Sequence, residues 1–107
     1  MAESIGRVTV AQQVLDAIVQ LTTLNVPGVA RLGARHALRP SGDGVHVEVN
    51  DNHVVVDVYV IVAPEVNLRD VGRTIQTEVA RAMQEMVGME VDTVNVHIQD
   101  VEASAGS

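Results

Sequence analysis

Residues 45–62 read VHVEVNDNHVVVDVYVIV, and valine occupies every second position in each half of this stretch. Such alternation is typical of β-strands, because successive side chains of a strand point to opposite faces of the sheet. The two halves are joined by NDNH at positions 50–53, and Asn and Asp tolerate the positive φ angles of a tight turn. The stretch therefore predicts a β-hairpin.

A helical pattern lies on each side of this hairpin. On the N-terminal side, Thr9 and Gln12 form a capping-box pattern, which predicts a helix over residues 10 to about 24. On the C-terminal side, Asn67 as N-cap and Gly88 as left-handed C-cap predict a second helix over residues 68–87. Each helix carries an apolar stripe at spacings of three and four, which in the first helix consists of Val10, Val14, Ile18, Leu21 and Leu24.

A third strand is predicted over residues 90–100, EVDTVNVHIQD, where apolar and polar side chains alternate again. Each strand has one apolar face, so both helices are expected on the same side of the sheet. The prediction is an α+β fold, a two-layer α-β-β-α-β domain in which two helices pack on one face of a three-stranded mixed sheet. The third strand could lie beside the first or the second, and residues 7–9 could add a short extended edge.

Length and composition limit the possible classes of protein. The 107 residues predict a single domain over residues 1–107, ordered from about residue 6 to 101 with short flexible tails. The absence of cysteine excludes disulfides and fits a reducing cytoplasm. No apolar run approaches the roughly 20 residues that span a bilayer, so direct membrane insertion is not expected. The net charge of -7 and the single aromatic residue argue against nucleic-acid binding.

The polar face of the predicted sheet is the first candidate binding surface. Alternation places on this face His46, Glu48, Asp57, Tyr59, Asn95 and His97. Histidine and carboxylate side chains bind zinc and similar ions, so the face could hold a metal or another ligand. We favour a solvated polar surface instead, because no local ligand motif such as H-E-x-x-H is present. No catalytic, cofactor-binding or metal-binding residue is predicted.

The segment between the first helix and the hairpin, residues 25–45, is the second candidate surface. Its first part, NVPGVARLG, is predicted to pack against the core through Val26, Val29 and Leu32, and only ARHALRPSGDG is predicted to be a loop. The basic side chains of the segment are candidates for contact with a partner or with a second copy of the chain. They are Arg31, Arg35, His36 and Arg39.

Charge is divided unevenly along the chain. Residues 1–42 hold four arginines and two acidic residues, a net charge of +2, whereas residues 43–107 hold three arginines and twelve acidic residues, a net charge of -9. A molecule with opposite charge at its two ends can associate head to tail. We therefore expect a homo-oligomer in which residues 25–45 of one copy, which we call the arginine segment, meet the acidic sheet or helix of the next.

Three stretches resemble the alkaline shock protein family of Gram-positive bacteria, also called general stress or envelope stress response proteins. They are GRVTVAQQVLDAIVQLTTLNVPGVARLG, GVHVEVNDNHVVVDVYVIV and VNLRDVGRTIQTEVARAMQEMVGMEVDTVNVHIQDV, and together they fall within residues 6–101. The resemblance implies a cytoplasmic, non-enzymatic protein that helps to maintain the cell envelope and self-associates. It also implies a membrane-embedded protein partner that holds the chain near the membrane, and it brings no catalytic residues or cofactor.

Two alternatives stay open from the sequence. The order helix, strand, strand, helix, strand is similar to that of KH-like RNA-binding modules, although no G-x-x-G loop lies between paired helices and the net charge opposes RNA. The other alternative is a small metal-binding or ligand-binding protein that uses the polar sheet face.

Overall fold

The computed structural model of the chain describes residues 5–34 and 44–102. Two helices and four strands lie along these residues. In chain order they are α1 (Gln12–Leu24), β1 (Val29–Leu32), β2 (Val45–Asn50), β3 (His53–Val62), α2 (Leu68–Val87) and β4 (Glu90–Val101). The α+β fold class and the hairpin predicted from the sequence are confirmed. Asp51, in the two-residue turn between β2 and β3, has a φ of 56°.

Strand β3 is the centre of the sheet. One of its edges pairs with β4 in parallel along its whole length, which resolves the strand order that the sequence left open. Its other edge pairs antiparallel with β2 over residues 53–58 and antiparallel with β1 over residues 60–62. Strands β1 and β2 therefore lie end to end along a single edge of β3, and the sheet is three strands wide.

The prediction of three strands was wrong, because β1 was missed. The sequence VARL of β1 has an intermediate, two exposed and another intermediate residue, so it lacks the alternation that reveals β2 and β3. The prediction that the surrounding segment packs against the core is confirmed. Val26 is buried, and Val29 and Leu32 pack against the hydrophobic cluster.

The core lies between the sheet and the two helices. Five valines of β3 at every second position are almost completely buried, and Val71, Ile75, Val79 and Met83 of α2 form the opposing stripe. Each such side chain contributes about 1.5 to 3 kcal/mol on transfer from water, so alternating valines can build a core without Phe or Trp. Helix α2 begins and ends as predicted, with Asn67 accepting from the Asp70 amide at 3.0 Å and Gly88 at a φ of 69°.

Helix α1 differs from its prediction in both its start and its buried face. It begins at Gln12 after Ala11, with no side-chain cap, so the capping box at Thr9 was wrong. The side-chain nitrogen of Gln12, Nε2, donates to the Val47 carbonyl of β2 at 3.0 Å. Of the five residues in the predicted stripe, only Ile18 is buried. The core-facing side chains are Leu15, Ile18, Val19 and Thr23, while Leu21 remains 62% exposed.

Candidate functional site

The face of the sheet turned away from the helices, which we call the open face, is the main candidate site. Strand register brings polar side chains of three strands together on it. Asp57 of β3 lies opposite His46 of β2 and beside Asn95 of β4, and Tyr59 lies beside His97. The sequence placed all five residues on one face, and the structure shows that they are neighbours.

Asp57 is the hydrogen-bonding centre of the open face. One of its carboxylate oxygens, Oδ1, accepts from the Asn95 amide at 3.2 Å and from His97 Nε2 at 3.1 Å. The His97 ring stacks on Tyr59, with ring centroids 4.4 Å apart and planes 11° from parallel. A stacked pair of this kind adds about 0.5 to 1.5 kcal/mol beyond its buried area. The only aromatic side chain of the protein thus orients a histidine on the sheet surface.

The arginine segment is hydrogen-bonded to this same face at Gly33, Ala34 and Gly44. Gln99 of β4 makes two hydrogen bonds with the backbone of Ala34, donating to its carbonyl at 2.7 Å and accepting from its amide at 3.1 Å. The backbone of Tyr59 bonds to both Gly33 and Gly44. Its carbonyl accepts from the Gly33 amide at 2.7 Å, and its amide donates to the Gly44 carbonyl at 2.8 Å. The chain therefore leaves the edge of β3 and returns to it at one residue.

The other predicted site residues are separated from this cluster or lie outside the described residues. Glu48 is exposed on β2, opposite Val55. Arg31 lies on β1, where its Nε contacts Glu102 at 3.3 Å in an exposed ion pair. Arg35, His36 and Arg39 lie outside the described residues. The sequence did not single out Gln99, although alternation along β4 put it on the same face as His97.

A second polar contact lies at the other end of β3. His53 Nδ1 is 2.9 Å from Asp92 Oδ1, and both side chains are about half exposed. The hydrogen bond to Asp92 and the charge of that carboxylate raise the pKa of His53 above its ordinary value of 6.5, with smaller contributions from Glu90 and Asp51. Asp92 is an extra residue in β4, where the register with β3 shifts, and such a bulge redirects a side chain.

Comparison with known protein families identifies the chain. The profile of the alkaline shock protein 23 family, described as having a cell envelope-related function, matches residues 1–103. The chain belongs to this family. The resemblance noted in the sequence is thereby confirmed, and the match spans both the open face and the arginine segment.

Relatives of the chain occur in Gram-positive bacteria. The uncharacterized protein YqhY of Bacillus subtilis (strain 168) is 24% identical over 106 residues, which cover 92% of this chain and 78% of YqhY. The uncharacterized protein Spy1535 of Streptococcus pyogenes serotype M6 is 28% identical over 107 residues, covering 94% of this chain and 83% of the relative.

Among solved structures, a variant of the MamM CTD is similar with a TM-score of 0.65 and 12% identity, covering 92% of both chains. A zinc form of another MamM CTD variant has a TM-score of 0.57 and 15% identity, covering 89% of this chain and 88% of that one. At such low identity the likeness shows the α+β fold alone.

The arrangement of the described side chains on the open face bears on the metal-binding alternative. Within residues 5–34 and 44–102, no group of three His, Asp or Glu side chains is arranged to hold a metal ion. Asp57 instead accepts from Asn95 and His97. The metal-binding alternative therefore gains no support from the described part of the chain.

A groove of about 500 Å³ lies between the end of α1 and helix α2. Its wall includes Pro27, Ala82 and Met86, together with Glu78 and Arg81, which contact each other at 3.5 Å. Glu85 adds a further acidic group to the wall, and Thr22, Asn25 and Thr74 add uncharged polar groups, so the groove is mixed in polarity.

Across the described residues, neither helix combines the length and the apolar character that crossing a membrane requires.

Proposed function

We propose that the chain is a non-enzymatic interaction protein of the cell envelope that self-associates and is held near the membrane by a membrane-embedded protein partner. The family description supplies the envelope relation. The observation that carries the proposal is the open face itself, a side of the sheet that neither α1 nor α2 covers, on which Asp57, Asn95, His97 and Tyr59 hold one another in place.

The geometry of this face favours binding over catalysis. A catalytic acid or base needs a substrate position within hydrogen-bond reach, usually inside a cleft that excludes water. Here the Asp57 oxygen is engaged by Asn95 and His97, and the Tyr59 ring covers one side of the histidine. Hydrogen bonds and stacking fix these side chains on an open sheet, which suits recognition of another protein surface.

The size of the face also fits a protein partner. Three strands spaced about 4.8 Å apart, each with up to ten paired residues at about 3.3 Å, cover roughly 500 Å². A standard protein interface buries about 800 Å² on each partner. The arginine segment, anchored through Gln99 at the border of the face, would supply additional area and positive charge. We therefore propose that one partner contacts both surfaces.

Fractionation of the native cells tests this function. The tagged full-length chain should sediment with membranes and be released by detergent, because it is held there by an embedded protein. Tyr59→Ser, which removes the stacking partner of His97, should shift most of the chain to the supernatant. Thr77→Ala, at an exposed position of α2, is the matched control and should stay with the membranes.

Two results would refute the proposal. One is a wild-type chain found entirely in the supernatant of gently lysed cells. The other is a Tyr59→Ser variant, shown by circular dichroism to be folded, that remains with the membranes as fully as Thr77→Ala.

A further inference from the structure

We infer that self-association occurs by strand addition, in which residues 5–10 of one copy pair with the free edge of β4 in a second copy. This inference rests on the proposed self-association and identifies the two surfaces that would meet. The donor segment, IGRVTV, and the acceptor edge lie at opposite sides of the sheet.

The donor segment is apolar and unpartnered. Ile5 is 99% exposed and Val8 is 93% exposed, although both are large apolar side chains. The structure shows no hydrogen bond from residues 5–10 to any other described residue. Isoleucine, valine and threonine favour strands, so this composition suits pairing with a sheet. A segment that exposes such side chains gains apolar burial as well as backbone hydrogen bonds when a sheet edge receives it.

The acceptor is the outer edge of β4. β4 has an extra residue at Asp92 and another at Gln99, and between them residues 93–98 form six residues of regular strand. That length equals the length of the donor segment. Alternate residues of an edge strand turn their backbone groups outward, and the Val94 carbonyl there accepts from Gln76 of α2 at 3.1 Å. No other described residue bonds to this edge.

The β4 edge lacks several of the usual protections against pairing. Natural edge strands avoid association through charged side chains, especially lysine, through proline, through short length or through bulges, and the two bulges of β4 lie outside residues 93–98. β4 has twelve residues and contains neither lysine, arginine nor proline. An edge of this length is a template for an added strand, the recognition mode in which an extended peptide extends a sheet.

The donor segment cannot reach the β4 edge of its own copy. Gln12 donates to Val47 of β2, which places the start of α1 beside the opposite edge of the sheet. Reaching β4 means crossing three strands, or about 15 Å at 4.8 Å per strand. Six residues span at most about 20 Å when extended. Too few residues would remain to pair, so the acceptor belongs to a second copy.

Charge supports this choice of partner. Strand β4 and the residue after it carry Glu90, Asp92, Asp100 and Glu102, with no lysine or arginine among residues 90–102. The donor segment carries Arg7 and no acid. Opposite charges favour the encounter of donor and acceptor. Because the two surfaces differ, each copy can donate to one neighbour and accept from another, and the rotation between copies decides whether the assembly closes into a ring or continues as a filament.

Cysteine cross-linking tests the pairing directly, because the chain contains no native cysteine. Val8→Cys and Thr9→Cys are made separately, since adjacent strand residues point to opposite faces. Each is mixed with full-length Asn95→Cys under mild oxidation. We expect one of the two to form a disulfide-linked pair of copies about tenfold more efficiently than it does with Glu48→Cys, because a disulfide requires Cα atoms within about 7 Å.

Glu48→Cys is the matched control because it lies on the same face at the opposite edge, on β2. Preferential linkage to Glu48→Cys, or linkage of neither donor to Asn95→Cys, would overturn the inference.

A second variant measures the contribution of the donor strand to assembly. Val8→Pro removes a backbone donor at a residue that packs against nothing in its own copy, so circular dichroism should match that of the wild type. The dissociation constant for self-association should rise about tenfold, because the substitution removes one backbone hydrogen bond and the strand geometry around it. Unchanged assembly of Val8→Pro would overturn strand addition alone, whereas a wild-type chain that stays monomeric would overturn the proposed self-association as well.

Discussion

At the scale of single residues, the contact between His53 and Asp92 makes the junction of β3 and β4 sensitive to pH. The carboxylate raises the pKa of His53, so the charged pair stabilises the fold fully below pH 6.5, the ordinary pKa of histidine, and the contribution is lost as pH rises through the raised value. Asp92→Asn should return the pKa of His53 toward 6.5, as measured by NMR titration of its ring protons. Asp100→Asn, at the far end of β4, should leave that pKa raised. A His53 pKa that Asp92→Asn does not change would contradict the assignment.

Gly44 is the residue that allows the chain to return to the sheet beside Tyr59. Its φ is 66°, and an added Cβ would lie 2.8 Å from the Leu32 Cβ and 2.9 Å from the Gly33 carbonyl oxygen. Gly44→Ala should therefore lower the free energy of unfolding by about 1 to 3 kcal/mol in urea denaturation.

Gly72, inside α2, is the matched control for this substitution. No atom lies within 4 Å of its added Cβ, so Gly72→Ala should raise the free energy of unfolding by about 0.5 to 1 kcal/mol. Equal effects of the two substitutions would show that Gly44 has no special conformational role.

The residues of the open face were predictable, but their bonds were not. Period two alone places Asp57, Tyr59 and His97 on one side of the sheet. Their contacts depend on which strands are neighbours, and the pairing of β3 with β4 depends on the path of α2 between them. The pairing of Gln99 with Ala34 adds a register shift that no local pattern reveals.

At the scale of elements, the two helix starts test the structure against the sequence pattern. Asn67 accepts from the Asp70 amide, so Asn67→Ala should lower the free energy of unfolding by about 1 kcal/mol. Thr9 is exposed and does not cap α1, so Thr9→Ala should change it by less than about 0.5 kcal/mol. Urea denaturation of both variants measures the difference. If Thr9→Ala lowered the free energy of unfolding more than Asn67→Ala did, Thr9 would be shown to cap α1.

Helix α2 and the hairpin were predicted closely because each has one apolar and one polar side. Helix α1 has apolar residues around most of its surface and a single charged residue, Asp16, so several stripes fit a helical spacing. Packing selects the stripe that contains Leu15 and Val19, and it leaves Val14 and Leu21 exposed. Strand β1 has only four residues and depends on the end of β3 that β2 leaves unpaired, which is information that its own sequence lacks.

At the scale of the whole molecule, the uneven charge predicts that assembly depends on the basic part of the chain. Changing Arg31, Arg35 and Arg39 together to Glu turns the net charge of residues 1–42 from +2 to -4 and should weaken self-association at low salt by about tenfold or more. The matched control changes Arg69, Arg73 and Arg81 of α2 to Glu, which alters the net charge equally on another surface. Sedimentation velocity compares the two. Equal weakening would show that total charge, and not its position, controls assembly.

Association of the chain with itself is the central claim, and sedimentation equilibrium of the unmodified full-length protein tests it most directly. The measurement covers a wide range of protein concentrations at low and high salt. We predict an average mass that rises with concentration above the 11.4 kDa of one chain and rises less at high salt, because salt screens the attraction between unlike surfaces. A mass of 11.4 kDa at every concentration, including low salt, would contradict the claim.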